Sequence, residues 1–345
     1  MKSLGRLLGL IFLGLFLLVV TLGFALTHLL DPNDYKDEIR QLVRDKANLE
    51  LTLNGQIGWS LFPWLGIELH DASLASTATP EQPFADLQML GLSVRVLPLL
   101  RQEVLMSDVR VEGLNLKLQR DKQGHGNWQD IGRPTAASAP PTSSSADEQP
   151  APVADTSAAE RAPMRLDIDS LRINNARIDY VDARNSTRYT LENLQFSSGA
   201  IRESSSIPFK LSTNLNSTQP VLRARTELSA SLRFDRALKR YQLEDLQLSG
   251  EVSGEPLKDK TLTFATQGQL LLDQTAGVAE WSGLKLSANQ LRGIGQIKLY
   301  DLDKAPKLDG GISIAQVNLR EFLVGLGVTL PASADPKTLG SFELA

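Results

Sequence analysis

One spacing governs this chain. Apolar residues recur as h-x-h-x-x-h-x-h, first at Ile67, Leu69, Ala72, Leu74, then at Val109, Val111, Leu114, Leu116 and at Leu171, Ile173, Ala176, Ile178. The pattern returns at Tyr189, Leu191, Leu194, Phe196; at Tyr241, Leu243, Leu246, Leu248; at Ala279, Trp281, Leu284, Leu286; and at Ile312, Ile314, Val317, Leu319. Residues 189–197 (YTLENLQFS) and 241–249 (YQLEDLQLS) nearly coincide. Side chains two apart on a strand share a face, so strict alternation through the central x-x would turn the second half to the other side. One inserted residue restores the face, as a β-bulge or a short break between strands does. The inserted pairs His70-Asp71, Glu112-Gly113, Asn174-Asn175, Glu192-Asn193, Glu244-Asp245 and Ser282-Gly283 are polar or contain glycine; Ala315-Gln316 fits least well. Such self-similarity marks a stacked repeat architecture.

Between these copies run plainly alternating strands with one apolar side: Leu49, Leu51, Leu53; Leu90, Leu92, Val94, Val96; Phe209, Leu211, Thr213, Leu215; Ala224 to Phe234; and Leu262 to Leu272. Helical spacing is confined to two places. Asp31-Pro32 reads as a cap followed by proline at the first helical position, and Tyr35, Ile39, Leu42, Val43 and Ala47 then share one side of a helix reaching about Lys46. A second short helix is expected within 318–327. Residues 133–163 are rich in Pro, Ala, Ser and Thr and offer almost nothing to bury. They read as a disordered linker between strands of one sheet, with a domain boundary as the alternative. The expected divisions are therefore 1–30, 31–132, 133–163 and 164–345. A further strand begins near Leu339, so a longer natural chain is expected.

The first thirty residues set the compartment. Lys2 and Arg6 precede an uncharged run from Leu7 to Leu30, about 36 Å long as a helix, enough to span a bilayer core. A cleaved leader would have a shorter apolar stretch and a small-x-small site; Ala25-Leu26-Thr27 serves poorly. The reading is an uncleaved anchor with a cytoplasmic N-terminus and everything after Asp31 translocated.

Chemistry is sparse. The chain has no cysteine, which removes disulfides, thiolate metal sites and a cysteine nucleophile. A net charge of -4 gives no footprint for nucleic acid. No nucleophile elbow, zinc-protease helix or phosphate loop is present, so no enzyme, no cofactor, no metal and no catalytic residue is expected. His28 reads as interfacial, His70 as solvated in a bulge, and His125 as a turn residue in Gly124-His125-Gly126-Asn127-Trp128. Asp167, Asp169, Asp179 and Asp182 lack the spacing of a calcium loop and read as a solvated face. Residues 58–66 are unusual, with Trp59, Phe62 and Trp64 close together. They suit a packed turn closing the sheet, or a contact with the membrane interface.

Several stretches together resemble the AsmA family of bacterial envelope proteins: the anchor, DPNDY at 31–35, LNGQIGWSLFP at 53–63, SVRVLPLL at 93–100, VRVEGL at 109–114 and GNW at 126–128. The likeness is specific over most of 1–131 and thereafter rests on the repeat. It implies a bacterial inner-membrane anchor carrying a periplasmic, elongated, curved, repetitive antiparallel β-sheet with an apolar groove, similar to chorein-type bridge-like lipid transfer proteins. The implied function is binding of lipid acyl chains, and a part in phospholipid transport to, and homeostasis of, the outer membrane. The alternative is a non-enzymatic scaffold or modulator of outer-membrane protein assembly. Phospholipids, the inner membrane and envelope assembly proteins are the expected partners. The candidate groove lining is Leu114, Leu116, Ile178, Leu194, Phe196, Leu228, Leu232, Phe264 and Leu270. One-sided strands suit an ordinary sandwich equally well, with two apolar faces covering each other.

Overall fold

Proline after an aspartate opens the described part of the chain as the sequence suggests. The computed structural model describes residues 31–60, 65–94, 106–129, 131, 167–303, 305–330 and 339–344. The expected anchor, His28, Phe62, Trp64 and the linker lie outside these. Asp31 accepts a hydrogen bond from Asn33 N at 2.9 Å and caps a 3-10 turn, Pro32–Tyr35. Helix α1, Lys36–Ala47, follows and stops where Asn48 turns left-handed at φ 56°. Acidic Asp37 and Glu38 stand in its first turn and Arg44 and Lys46 in its last, which suits the helix dipole. Among the described residues no helix is long and apolar enough to cross a membrane.

Everything else is essentially one sheet. Its strands are β1 (Leu49–Leu53), β2 (Ile57–Ser60), β3 (Leu65–Ser76), β4 (Ala85–Val94), β5 (Met106–Glu112), β6 (Asn115–Arg120), β7 (Ile168–Asp182) and β8 (Thr187–Ser198). They continue as β9 (Ile207–Thr218), β10 (Val221–Asp235), β11 (Arg240–Gly254), β12 (Leu262–Asp273), β13 (Val278–Ala288), β14 (Leu291–Tyr300), β15 (Lys307–Val317) and β16 (Phe342–Leu344), with helix α2 (Leu319–Gly325) before the last. Neighbours in sequence are neighbours in the sheet, with β2 continuing the line of β1 and β6 that of β5. Fourteen positions in a row, at about 4.8 Å each, extend about 62 Å. The described residues form no second sheet, so they do not make the sandwich.

The sheet is mixed rather than antiparallel throughout. β5 and β6 pair with β7 in parallel, Val111 beside Ile173 and Leu116 beside Ile178. A parallel neighbour needs a long crossover, and the stretch between Arg120 and Ile168 supplies it.

The inserted pairs share one backbone feature; Asn175, Asn193, Asp245 and Gly283 lie at register shifts, whereas Asp71 stays in register with β4 and Gly113 stands in the break between β5 and β6. In six of the seven pairs the second residue has a left-handed backbone: Asp71, Gly113, Asn175, Asn193, Asp245 and Gly283, with φ between 47° and 61°. Asn, Asp and Gly tolerate that region best, which is why these residues stand there. Register counts the extra residue directly. Leu228 and Leu232 of β10 are four apart, whereas their partners on β11, Leu248 and Leu243, are five apart. Leu211 and Leu215 of β9 likewise face Phe196 and Leu191 of β8. Ala315-Gln316 also shifts register, against β16, but without a left-handed residue.

Candidate functional site

Because paired residues share a face, the registers can be followed from strand to strand across the molecule. One row runs Ile57, Leu69, Leu90, Val111, Ile173, Phe196, Leu211, Leu228, Leu248, Thr266, Leu286, Gly293, Ile314, Leu344. A second runs Leu51, Leu74, Ala85, Leu116, Ile178, Leu191, Leu215, Ala224, Val252, Leu262. A third, on the later strands, is Ile207, Leu232, Leu243, Leu270, Trp281, Ile297. Thr266 and Gly293 are the only departures from apolar character in these rows. Without the left-handed residues, β8, β11 and β13 would break each row by turning half their side chains away.

All nine residues expected to line a groove fall on this face. Leu116, Ile178, Phe196, Leu228, Leu232 and Leu270 stand in the rows just given. Leu194 pairs with Ala176, beside Leu114, and Phe264 stands opposite Gly250, where a side chain would meet its ring at 2.9 Å. None of the nine is buried and none is fully exposed. That intermediate state is what a single uncovered layer gives; a sandwich core would hide them. Trp59 joins the same face through Ile67, Leu92 and Val109, so the structure places it on the sheet surface.

Among the described residues, helix α1 covers the apolar face at one end. Ile39 and Val43 of α1 pack on Leu51, Leu53, Ile57 and Ala72, and Val43 and Ala47 pack on Leu49, Phe84 and Ala85 together with Leu116. Both clusters of buried apolar side chains among the described residues lie there. Asn33 secures the cover by exchanging hydrogen bonds with the Ile57 backbone, and Lys36 Nζ donates to Gly55 O at 2.8 Å. Among the described residues no such buried apolar cluster occurs from β7 onward. A concavity of about 710 Å³ toward the C-terminal end is lined by Leu284, Gly295, Ile312 and Leu344 among others.

The reverse face is polar and cross-linked by charge. Arg110 reaches over Gly91 to Glu68 at 3.0 Å, Lys117 pairs with Asp86, and Lys298 with Glu280. Arg177 bonds Asp179 at 2.8 Å and Glu192 at 2.5 Å, and this guanidinium, with the Thr190 hydroxyl, holds the Asp179 carboxyl below the usual range. Shallow depressions on this face, such as one of about 490 Å³ beside Gln195, Lys210, Glu227 and Gln247, have polar walls unsuited to an acyl chain. His70 lies 3.9 Å from Glu68, and His125 lies 3.6 Å from Asp121 in an exposed turn. Asp167 and Asp169 both bind Arg202. Asp182 corrects the sequence reading: it is buried, not solvated, and its carboxylate accepts from Arg184 N and Asn185 Nδ2 to close a turn. Trp281 was legible only as a repeat residue, yet its indole covers Gly268 and its Nε1 is buried without a hydrogen-bond partner among the described residues.

The sequence description of the AsmA family matches residues 1–345. The chain belongs to the AsmA family. Protein AsmA of Escherichia coli (strain K12) is 30% identical over 103 residues, which cover 30% of this chain and 16% of that relative. The specific likeness to that family member is thus local, while the family pattern extends through the repeat. No solved structure matches.

Proposed function

We propose that this AsmA-family protein is a non-enzymatic lipid-binding protein whose open apolar face receives acyl chains. On this reading it is anchored in the inner membrane by residues 1–30, extends into the periplasm, and takes part in phospholipid transport to, and homeostasis of, the outer membrane. The observation that carries it is the nearly continuous apolar rows, mostly partly exposed, over which the described residues place no buried apolar cluster from β7 onward. An apolar surface of that extent in water needs an apolar partner, and acyl chains are the partner that runs along rows without requiring register. Trp59, Phe62 and Trp64 would then meet the membrane interface beside the anchor.

The test is a photo-crosslinking residue at Leu232 in the full chain, paired with Leu232→Asp. Lipid adducts at 232, and a folded Leu232→Asp variant that has lost them, support the reading. A carboxylate on a half-exposed surface stays hydrated and repels acyl chains. Crosslinks confined to another protein would instead favour a scaffold for outer-membrane protein assembly.

A further inference from the structure

The apolar face changes character in order at the end of β6 and β7. On β6 it carries Leu116, Leu118 and then Arg120; beside them on β7 stand Ile178, Tyr180 and Asp182. Leu191 and Tyr189 of β8 continue the first two rows. Trp128, in the turn after β6, lies against Tyr180 with ring centroids 6.0 Å apart, and Tyr180 lies 6.3 Å from Tyr189. Within four residues, about 13 Å of strand, the surface passes from aliphatic through aromatic with polar tips to charged. A phospholipid presents the same order, from tail through ester to phosphate, and Tyr and Trp favour the middle zone for that reason.

Among the described residues, no ion pair engages the two arginines at this charged end. Arg120 Nε donates to Gly124 O at 3.1 Å. A β-carbon on Gly124 would lie 3.3 Å from Arg184 Nη1 and 3.7 Å from Arg120 Nη2, so two guanidinium groups flank one glycine. The carboxylates nearby serve turns: Asp182 binds Arg184 N and Asn185 Nδ2, and Asp121 accepts from His125 N at 2.8 Å. At the opposite end of β7 the arginine is neutralised, because Arg202 is held by Asp167 at 2.7 Å and Asp169 at 2.9 Å. Position matters too. The helix cover reaches only as far as Leu116, so this rim stands where the open face begins.

We propose that Arg120 and Arg184 bind the phosphate of a phospholipid headgroup whose tails lie on the rows at Ile178 and Leu191. The proposal rests on the apolar face being an acyl-chain surface. Phosphate bound by two guanidinium groups is a charge-assisted contact, so losing both should weaken binding at least about tenfold.

The experiment uses the full chain in a non-ionic amphipol and three probes: dihexanoyl-phosphatidylglycerol, dihexanoylglycerol and inorganic phosphate. Expected is a preference of about tenfold or more for the phospholipid over the phosphate-free lipid. R120Q/R184Q should abolish the preference without changing dihexanoylglycerol binding, and R120K/R184K should keep part of it. R184Q alone, in a turn where the guanidinium has no partner among the described residues, should fold normally and show a several-fold loss. A preference that survives R120Q/R184Q overturns the rim while leaving the acyl-chain surface standing. Inorganic phosphate binding as tightly as the phospholipid overturns it in favour of a free-anion site. Binding of neither lipid removes the acyl-chain reading and the rim with it.

Discussion

Parallel pairing sets a minimum length on the connection between β6 and β7. Arg120 stands beside Asp182, at the far end of β7, whereas β7 begins beside Met106. The chain leaving β6 must therefore return along a 15-residue strand, about 46 Å, within residues 121–167. The first part of that stretch covers no ground, since Asn127 N donates to Gln119 O and Trp128 rests on Tyr180. From there to Ile168 remain about 40 Å of strand. Deleting 133–163 leaves residues 129–132 and 164–167, which reach about 32 Å fully extended. Closure entropy argues the other way: a loop of 16 residues in place of 47 favours the fold by about 1 kcal/mol. Geometry outweighs it. The pairs Val109–Leu171, Val111–Ile173 and Leu116–Ile178 hold six aliphatic side chains, at about 1 kcal/mol each when half-buried. Variants that keep ten or more linker residues should melt with the parent in urea, followed by circular dichroism. Complete deletion should lower the midpoint sharply. An unchanged midpoint after complete deletion would refute the reach argument, and two separate transitions in the parent would mean two domains.

Two further outcomes follow from single residues. Removing Asp245 should turn Leu246, now 6% exposed, and Leu248 off their face, a loss of about 1.5–3 kcal/mol for each fully buried leucine; Asp245→Gly, which accepts φ 51°, should leave the urea midpoint unmoved. Equal midpoints for the deletion and the parent would mean that the extra residue does not set the register. Asp179 titrates lower in the fold than in the unfolded chain, so its stabilisation is present above the unfolded value near pH 4 and lost as pH falls through the folded one. Asp179→Asn should flatten the acid limb of the stability curve by a few tenths of a kcal/mol, about what a half-exposed Arg177 allows; an acid limb as steep as the parent's would exclude this residue.

The sequence carried the bulges because their cause is local. An extra residue needs a left-handed backbone, and Asn, Asp or Gly stood at the second position of six pairs; Gln316 lacked that chemistry, and there the backbone takes another route. Strand direction left no trace, since alternation looks alike in parallel and antiparallel neighbours; only the long 133–163 stretch hinted at a crossover. The rim was invisible for the same reason. Arg120 and Arg184 lie far apart in the chain, and nothing but the parallel register brings them to one glycine. Burial of Asp182 depended on a turn whose shape no spacing announces.

Each strand in this sheet meets only the strands beside it, and that makes the molecule a polymer in one dimension. Its length is then a free variable. Inserting one more hairpin, with a left-handed bulge on one of its two strands, lengthens the apolar face by about 9.6 Å without repacking anything elsewhere. Two places resist such editing: the strands gripped by α1 and the crossover between β6 and β7. Beyond β7 the length of the apolar face is set by counting hairpins, so a lineage can lengthen it by duplication alone.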